Sequence, residues 1–444
     1  MWAFLLFKML TAMRALFLFS PIFSSFKFET LQSQSNLAIP CQRSTLHYCC
    51  VNMECTPLFL RTIVTPQNHS FFLFGARGTG KSHLLRQRFP NAFTIDLLNP
   101  ETEQEYSMNP GKLVSTVEGL SDHVTHVVID EVQKIPKLLD LVHFLMESRN
   151  SKKHFVLSGS SARKLKAGGA NLLAGRAFVR NLFSLTFSEL KESYDEFTVL
   201  AYGSLPKISI YSNTADRVDF LQAYCQVYLR EEIWNEQIIR SLPPFRKFLE
   251  IAATDSGKIL NYAKIARDVG VDPKTVQSYF GILEDTLIGF HLEPFHNSVR
   301  KRQRASPKFY FFDNGVSRAL ANMLAVIPKE GTSYFGDLFE QMVMNEIHRE
   351  NLYRKCDFKF YFLQTASGVE VDLVVERPGK SAVLIEIKST LSIKNEDTKN
   401  LSHFAADFPN AEMYLFSRDK STQRFDRIFA LEWKLGIQKL FTME

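Results

Sequence analysis

The chain has 444 residues, of which 45% are hydrophobic and 23% are charged, and this is enough for about three domains with cores of their own. With 53 basic against 47 acidic residues, the net charge of +6 indicates nucleic-acid binding only where basic residues cluster. The six cysteines lack the spacing of a disulfide framework or a trusted zinc site, which excludes the disulfide-rich class and favours a reducing cytoplasm.

Residues 1–57 differ in composition from the rest of the chain. No acidic residue precedes Glu29, and residues 15–26 are mostly apolar behind Lys8 and Arg14. A signal peptide or a membrane anchor has such a composition, but no A-x-A cleavage pattern follows and the stretch is short for a transmembrane helix. We treat this hydrophobic extension as lying outside the folded domains, with Met53 as an alternative translation start, and expect no membrane contact elsewhere.

The first functional motif stands between an apolar strand-like run, residues 71–74, and a helix-compatible stretch, residues 83–88. It matches the pattern G-x-x-x-x-G-K-[ST] in full: Gly75, Ala76, Arg77, Gly78, Thr79, Gly80, Lys81 and Ser82. In such a loop the backbone N–H groups and the helix N-terminus bind phosphate oxygens, the lysine reaches the β- and γ-phosphates, and the hydroxyl binds Mg²⁺. The sequence therefore predicts an ATP site with Mg²⁺ at Ser82.

A second apolar strand, residues 126–130, ends in the paired acids Asp130 and Glu131. Because ligands of parallel sheets bind at the carboxyl ends of the strands, these acids are expected beside the phosphate loop. Asp130 would then hold Mg²⁺, and Glu131 would act as the base that polarises the attacking water. The two motifs predict an α/β P-loop domain with a parallel sheet at residues 58–190.

Three further side chains are candidates for the γ-phosphate. Ser160 follows the next predicted strand at a phosphate-sensing position, and Ser158 is the second choice; ordinary turn chemistry is the alternative for both. Arg176 precedes a further predicted strand and would act as an arginine finger in cis, or in trans from a neighbouring subunit of a homo-oligomer. A structural ion pair is the alternative for Arg176.

The motif order resembles that of AAA-like ATPases of bacteria and archaea which carry a C-terminal domain of unknown function. The resemblance rests on G-A-R-G-T-G-K-S, V-V-I-D-E-V-Q-K-I-P, L-S-G-S-S-A and L-L-A-G-R, and it runs from about residue 58 to the C-terminus. Ser158 departs from the threonine usual in the group but keeps the hydroxyl. The resemblance implies ATP binding and hydrolysis and little about the biological role.

Residues 191–250 have apolar residues at helical spacing and predict a helical lid or connector. Residues 251–328 predict a winged helix, because two amphipathic helices flank a turn at Gly270 and Asp272 and Pro273 suit the start of the second helix. Early in that helix stand polar residues of base-reading type: Thr275, Gln277 and Ser278.

A basic run between two strand-like segments would form the wing. Its residues are Arg300, Lys301, Arg302, Arg304 and Lys308. Clustered charges of this kind suit DNA phosphates, so DNA is a candidate partner. The alternative is a packing module whose charged loop is merely solvated.

Residues 329–444 predict a C-terminal α/β domain with a long helix followed by three strands. The order D…E-x-K across the last hairpin resembles the restriction-endonuclease-like PD-(D/E)XK nuclease fold. Residues two apart share a strand face, so Glu386 and Lys388 lie together and a Pro-Gly turn brings Asp372 level with Glu386.

The two carboxylates, joined by Glu340 from the preceding helix, would hold a metal ion, and Lys388 would orient the attacking water. Burying these charges costs several kcal/mol unless they are paired or metal-bound, which favours a site. A degenerate nuclease fold that keeps the residues as an ion-pair cluster is the alternative.

Three classes of function remain open at this point. The chain is an ATPase that acts on DNA, a nucleotide-gated switch with slow turnover, or a DNA-binding regulator whose ATP site is structural. The presence of Glu131 argues against the third class, because a structural site needs no catalytic base.

Overall fold

The computed structural model describes residues 48–51, 54–57, 59–148, 153–160, 163, 175–227, 239, 241–296 and 306–442. The short strands β1 (Tyr48–Val51) and β2 (Glu54–Pro57) form an antiparallel pair. The remainder of the extension at residues 1–57 lies outside the described residues. Within the described ranges, no helix combines the length and the apolar character needed to cross a membrane.

A parallel five-stranded sheet forms the first α/β layer. Its strands are β3 (Phe71–Phe74), β4 (Phe93–Asp96), β5 (His126–Asp130), β6 (His154–Gly159) and β7 (Phe178–Asn181), in the spatial order β4-β5-β6-β3-β7. All four residues of β3 are buried, and they alternate between a core on one face of the sheet and a core on the other. The predicted parallel α/β core is confirmed.

Among the described residues, four helices connect or flank these strands. They are α1 (Lys81–Arg88), α2 (Pro100–Met108), α3 (Lys112–Glu118) and α4 (Leu138–Glu147). Helix α2 begins where Asn99 accepts from the N–H groups of Glu101 and Thr102 and Pro100 supplies a preset backbone angle.

The chain then becomes helical, as the sequence predicts for residues 191–250. The helices are α5 (Phe187–Leu190), α6 (Glu196–Tyr202), α7 (Pro206–Ile210), α8 (Thr214–Val227) and α9 (Leu242–Thr254). The predicted helix pair follows as α10 (Tyr262–Val269) and α11 (Pro273–Asp285). Gly270 ends α10 with a φ of 84°, and the Asp272 carboxylate caps α11 by accepting from the Thr275 N–H.

The remaining strands form an eight-stranded mixed sheet. They are β8 (Gly289–Pro294), β9 (Lys308–Phe311), β10 (Lys359–Gln364), β11 (Glu370–Glu376), β12 (Val383–Lys388), β13 (Glu412–Ser417), β14 (Gln423–Phe425) and β15 (Ile428–Glu432), ordered β14-β15-β13-β12-β11-β10-β8-β9. The hairpin β8–β9 thus pairs with β10, with Tyr361 opposite Glu293. The predicted boundary between residues 328 and 329 therefore passes through one continuous sheet.

The last helices are α12 (Asn314–Leu320), α13 (Ser333–Arg354), α14 (Lys399–His403) and α15 (Trp433–Thr442). Helix α13 begins where the Thr332 hydroxyl accepts from the Phe335 N–H, and it ends at Lys355, whose φ is 57°. Its apolar side packs on the mixed sheet through Phe339, Val343 and Ile347. At 22 residues, α13 is about 33 Å long, long enough to reach from that sheet to the P-loop layer.

Candidate functional site

The glycine-rich loop follows the carboxyl end of β3, and Lys81 opens α1. A Cβ at Gly75 would collide with the Leu182 carbonyl oxygen, and Gly78 and Gly80 have φ angles of 78° and 93°, so the loop needs glycine at these positions. Lys81 is buried, and its ammonium donates to the Gly75 carbonyl at 2.8 Å, across the mouth of the loop. The lysine is thus folded back over the loop that the sequence predicts to bind phosphate.

The predicted acids lie at the carboxyl end of β5, one strand away from β3. Strand β6 lies between β5 and β3, and its Ser158 hydroxyl donates to the Asp130 carboxylate. The same hydroxyl oxygen accepts from the Glu131 N–H at 3.4 Å. Ser158, the second choice for the sensor position, is therefore the serine that contacts Asp130.

Glu131 has a left-handed backbone, with φ 59° and ψ 45°, which is uncommon for a residue with a side chain. Its carboxylate accepts from the Gln133 side-chain amide, and that amide also lies 3.4 Å from the Ser160 hydroxyl. The predicted residues Glu131 and Ser160 are thereby linked through Gln133. The sequence offered Gln133 only as part of a family motif.

Arg176 lies at the amino end of β7, level with residue 69 in the β3–β7 register. The phosphate loop leaves the opposite end of β3, about 20 Å away at the rise of a strand. Arg176 pairs with Glu147 at 2.5 Å instead. This placement disagrees with an arginine finger in cis, because Arg176 and the phosphate loop lie at opposite ends of the parallel strands β7 and β3. The finger in trans stays a prediction.

A cavity of about 540 Å³ opens beside the glycine loop. One wall comes from the loop and α1, and the other from α7 and α8; its residues include Thr79, Gly80, His83, Ile210, Phe220 and Tyr224. The Tyr224 ring lies 3.5 Å from the position of a Cβ at Gly78. The helical connector, for which the sequence predicted no chemistry, therefore forms much of the wall beside the loop.

Arg61 supports the loop from below. Its guanidinium donates to the carbonyls of Thr79 and Phe183 at 2.8 and 2.6 Å, and it lies 3.1 Å from the carboxylate of Glu189. It also donates to the Tyr353 hydroxyl near the end of α13, and that hydroxyl accepts from the Phe183 N–H. These residues lie far apart in the sequence, and no sequence motif predicts their contacts.

The C-terminal acids meet on β11 and β12, the two central strands of the mixed sheet. The register that pairs Leu373 with Ile385 places Asp372 opposite Glu386, so the predicted juxtaposition of the two acids is confirmed. Asp372 accepts from the Ile387 N–H at 2.7 Å. Glu386 accepts from Lys388 at 2.6 Å and from the Asn400 amide at 3.0 Å, while its second oxygen is buried without a partner.

Glu340 on α13 lies near this pair but bonds elsewhere. Its carboxylate accepts from the Tyr310 hydroxyl at 2.6 Å and from Lys308 at 3.4 Å, and Lys308 also pairs with Glu370 at 2.5 Å. Lys308 is 4% exposed. Its predicted place in the exposed basic wing is therefore wrong: β9 carries it into the acid cluster. The other wing residues, Arg300, Lys301, Arg302 and Arg304, lie outside the described residues.

Electrostatics within the acid cluster follow from burial. Burial and the neighbouring charges of Glu386 and Glu340 raise the pKa of Asp372 well above its usual range. Burial also raises the pKa of Glu386, although Lys388 opposes the shift. Burial alone lowers the pKa of Lys388, but Glu386 and Asp372 raise it more. Among the described residues, no three His, Cys, Asp or Glu side chains are already spaced to hold a metal ion.

Three family models match consecutive parts of the chain. Residues 67–191 match the model described as AAA domain, and these residues contain β3 to β7, the glycine loop and both acids. This part of the chain is therefore similar to AAA domains, in agreement with the predicted P-loop fold. Residues 194–326 match a domain of unknown function, DUF8612, and this match spans both the predicted connector and the predicted helix pair. Residues 335–435 match a second domain of unknown function, DUF4143, and the expected C-terminal domain of that kind is present.

Similar proteins occur in bacteria. An uncharacterized protein of Mycobacterium tuberculosis is 27% identical over 315 residues, which are 69% of this chain and 68% of that protein. An uncharacterized protein of Haemophilus influenzae is 20% identical over 309 residues, 65% of this chain and 72% of that protein.

Two solved structures align at low similarity. One is a chain from an assembly of Thermococcus gammatolerans McrB AAA+ hexamers with bound McrC, with 13% identity, 69% of this chain and 94% of that chain covered, and a TM-score of 0.24. The other is the Bacillus subtilis DNA clamp loader delta protein, with 13% identity, 63% and 95% covered, and a TM-score of 0.22. With TM-scores this low, neither alignment bears on the arrangement of the domains.

Proposed function

We propose that the chain hydrolyses ATP with Mg²⁺ at the loop of residues 75–82. The observation that carries the proposal is the position of Lys81, in the loop that follows β3, on the same side of the parallel sheet as Asp130 and Glu131 at the carboxyl end of β5. Oxygen donors suit Mg²⁺, and the Ser82 hydroxyl and Asp130 carboxylate would hold it. When bound, the ion neutralises charge on the phosphates.

The residues of the chain have separate tasks in this proposal. Loop N–H groups and the Lys81 ammonium bind the phosphates, which requires the ammonium to leave the Gly75 carbonyl. Glu131 accepts a hydrogen bond from the attacking water and polarises it. The Gln133 side-chain amide orients the Glu131 carboxylate. The Ser160 hydroxyl lies near the same Gln133 amide and would contact the γ-phosphate. Ser158 orients Asp130.

The cavity beside the loop would take the nucleoside. Phe220, Tyr224 and Ile210 give it an apolar wall against which a planar base can pack. Its floor is continuous with Gly78 and Gly80, so a nucleoside there would lead its phosphates into the loop. The helices of the connector thus serve as a wall of the nucleotide site.

The test separates binding from hydrolysis. We expect Lys81→Ala to lose nucleotide binding, because it removes the charge that faces the phosphates. Glu131→Gln should keep binding but lower kcat by about 10²-fold or more, because the amide cannot polarise water. Nucleotide titration and steady-state ATPase assays measure both effects.

The matched control is Glu118→Gln, which changes an exposed acid on α3 in the same way. It should leave both binding and turnover unchanged. Turnover by Glu131→Gln at the parent rate would refute the assignment of the base.

A second candidate is an ATPase that acts on DNA, held by α10, α11 and the basic run that follows them. Two helices around a Gly270 turn, continued by the hairpin β8–β9, have the element order of a winged helix. In this proposal the basic run contacts phosphates, and the C-terminal acids Asp372 and Glu386, with Lys388, form a nuclease-like site. DNA-stimulated turnover favours this candidate, whereas tight ATP retention with slow turnover favours a switch.

The basic run should supply affinity without sequence choice. Glutamine at Arg300, Lys301, Arg302 and Arg304 is expected to weaken binding about equally for all DNA sequences. The slope of log affinity against log salt should flatten, because phosphate contacts release counterions. Fluorescence anisotropy over a salt series measures the slope.

The control removes the same charge elsewhere, from four exposed lysines of the C-terminal region: Lys355, Lys359, Lys399 and Lys420. Equal slopes of log affinity against log salt in the parent and in the basic-run variant would show that the winged-helix region is a packing module.

A further inference from the structure

Lys308 occupies an unusual place for a lysine. It stands in the first position of β9, it is 4% exposed, and its ammonium lies 2.5 Å from Glu370 and 3.4 Å from Glu340. The ring of Phe362 closes the same space, with its centroid 5.6 Å from the ammonium. Lysine is rarely buried to this degree without paired charge, so the acids around it are what keep it there.

The cluster holds four carboxylates and two ammonium groups. Lys388 pairs with Glu386, which leaves Lys308 as the cation for Glu340 and Glu370. Lys308 is also among the charges that act on Asp372. The ammonium therefore contacts Glu340, one of the three acids that the sequence predicts as ligands of a metal ion.

One oxygen of the cluster has no partner. Glu386 is 1% exposed, its Oε1 accepts from Lys388 and Asn400, and its Oε2 is buried without any hydrogen bond. A buried carboxylate oxygen without a partner costs free energy, and a cation bound to it removes that cost. The cluster is thus incompletely satisfied on the side of Asp372 and Glu386, while Lys308 satisfies the side of Glu340 and Glu370.

We propose that Lys308 is a built-in cation that takes the place of a divalent ion, so that the acid cluster binds Mg²⁺ or Mn²⁺ only after Lys308 is displaced. An ammonium donates hydrogen bonds to two or three oxygens, whereas a divalent ion needs the oxygens drawn in to 2.0–2.2 Å or so on all sides. With the ammonium between Glu340 and Glu370, those two acids cannot converge with Asp372 on a single ion.

This inference deepens the proposal of a nuclease-like C-terminal site and rests on its acid cluster. It is independent of ATP hydrolysis, since none of its residues belongs to the phosphate loop. It predicts that the parent chain leaves the cluster without a metal ion, and that a change at Lys308 exposes a latent site. Metal binding and cleavage of DNA can then be separated, because a filled site need not cut.

The experiment uses the full chain without nucleotide and Mn²⁺ as the probe. We expect the parent to show no Mn²⁺ bound at the cluster by electron paramagnetic resonance. Lys308→Met should bind about one Mn²⁺ per chain at least ~100-fold more tightly than the parent, and added Mn²⁺ should raise its Tm. Asp372→Asn in the Lys308→Met background should remove both effects.

The matched control is Lys359→Met, which removes an exposed lysine on β10 of the same sheet and should behave as the parent. Should Lys308→Met fail to fold, the double variant Lys308→Met, Glu370→Gln keeps the net charge of the cluster. It should fold and bind Mn²⁺ through the remaining acids.

Two results would overturn the inference. One is Mn²⁺ bound by the parent and lost in Asp372→Asn, which would mean that Lys308 does not exclude the ion. The other is a folded Lys308→Met or double variant that binds no Mn²⁺. Loss of DNA cleavage alone would bear on the nuclease proposal and leave the role of Lys308 standing.

Discussion

The glycine loop and the acid cluster both gather charged side chains beside a sheet, but they draw them from different lengths of chain. The proposed nucleotide site would take its phosphate-facing groups from the eight residues 75–82 and from the neighbouring ends of β5 and β6. The acid cluster takes Lys308, Glu340, Asp372 and Glu386 from β9, α13, β11 and β12. The first is fixed mainly by local backbone geometry, whereas the second exists only when the tertiary fold is complete.

This difference shows where each site is vulnerable. A glycine loop keeps its shape through glycine backbone angles and short-range hydrogen bonds such as Lys81 to Gly75. The buried charges of the acid cluster are stabilised by ion pairs between elements that are distant in sequence, such as Lys308 with Glu370. Loss of one partner there leaves a buried charge without compensation, which costs more than loss of a surface pair.

The largest expected effect tests how local the nucleotide site is. Arg61→Met removes buried bonds to Thr79, Phe183 and Tyr353 and leaves Glu189 without its cation. We expect the free energy of unfolding to fall by about 3–5 kcal/mol. The folded fraction should still bind nucleotide within about tenfold of the parent, because the glycine loop keeps its own backbone geometry. Urea unfolding and nucleotide titration measure the two quantities.

The control is Arg267→Met, which removes an exposed arginine on α10 and should change stability by less than about 0.5 kcal/mol. If Arg61→Met abolished nucleotide binding while the protein stayed folded, the loop would depend on tertiary support as much as the acid cluster does.

A smaller effect concerns Glu346, which lies on α13 between the two sites. Burial raises the pKa of Glu346 to about 8, with Glu350 and Glu189 adding to the shift, while Arg349 and the Phe187 N–H oppose it. The folded chain therefore holds a proton that the unfolded chain releases near its ordinary pKa of 4.5. Stability from this group is complete at low pH and is lost as pH rises from about 4.5 to about 8.

Glu346→Gln should remove this pH dependence, because the amide mimics the protonated acid. Parent and variant should have similar unfolding free energies at pH 5. At pH 8.5 the variant should be more stable, by about 2 kcal/mol after allowance for Arg349. Urea unfolding across this range measures the difference. A parent whose stability rises with pH in this window, with no change in the variant, would show that Glu346 stays ionised.

Much of the nucleotide site follows from sequence because its groups are contiguous. The glycine pattern, the acids Asp130 and Glu131, and the parallel sheet behind them can be predicted from residues that stand side by side. The support from Arg61 cannot, because its partners Glu189 and Tyr353 are 128 and 292 residues away along the chain. Arg176 shows that a motif alone does not place a side chain, because this arginine lies at the amino end of β7, away from the glycine loop, and pairs with Glu147.

The acid cluster was predicted only in part. Strand periodicity and a Pro-Gly turn are enough to place Asp372 opposite Glu386, because both are local rules. From the sequence, Lys308 belongs to the basic run, since it follows Arg304 by only four residues. Only the pairing of β8 with β10 carries the hairpin β8–β9, and with it Lys308, against α13 and β11. A contact that depends on which strands pair across the fold leaves no trace in local sequence.

Helix α13 gives the two sites a shared mechanical element. Near its end, Tyr353 and Arg349 bond the chain just after β7, through Phe183 and Leu185, and near its start Glu340 bonds Tyr310 and Lys308. The two contact points are about 20 Å apart along one stiff rod. A displacement of the chain after β7, beside the glycine loop, would therefore act on the same helix that carries Glu340 and its bonds to Tyr310 and Lys308.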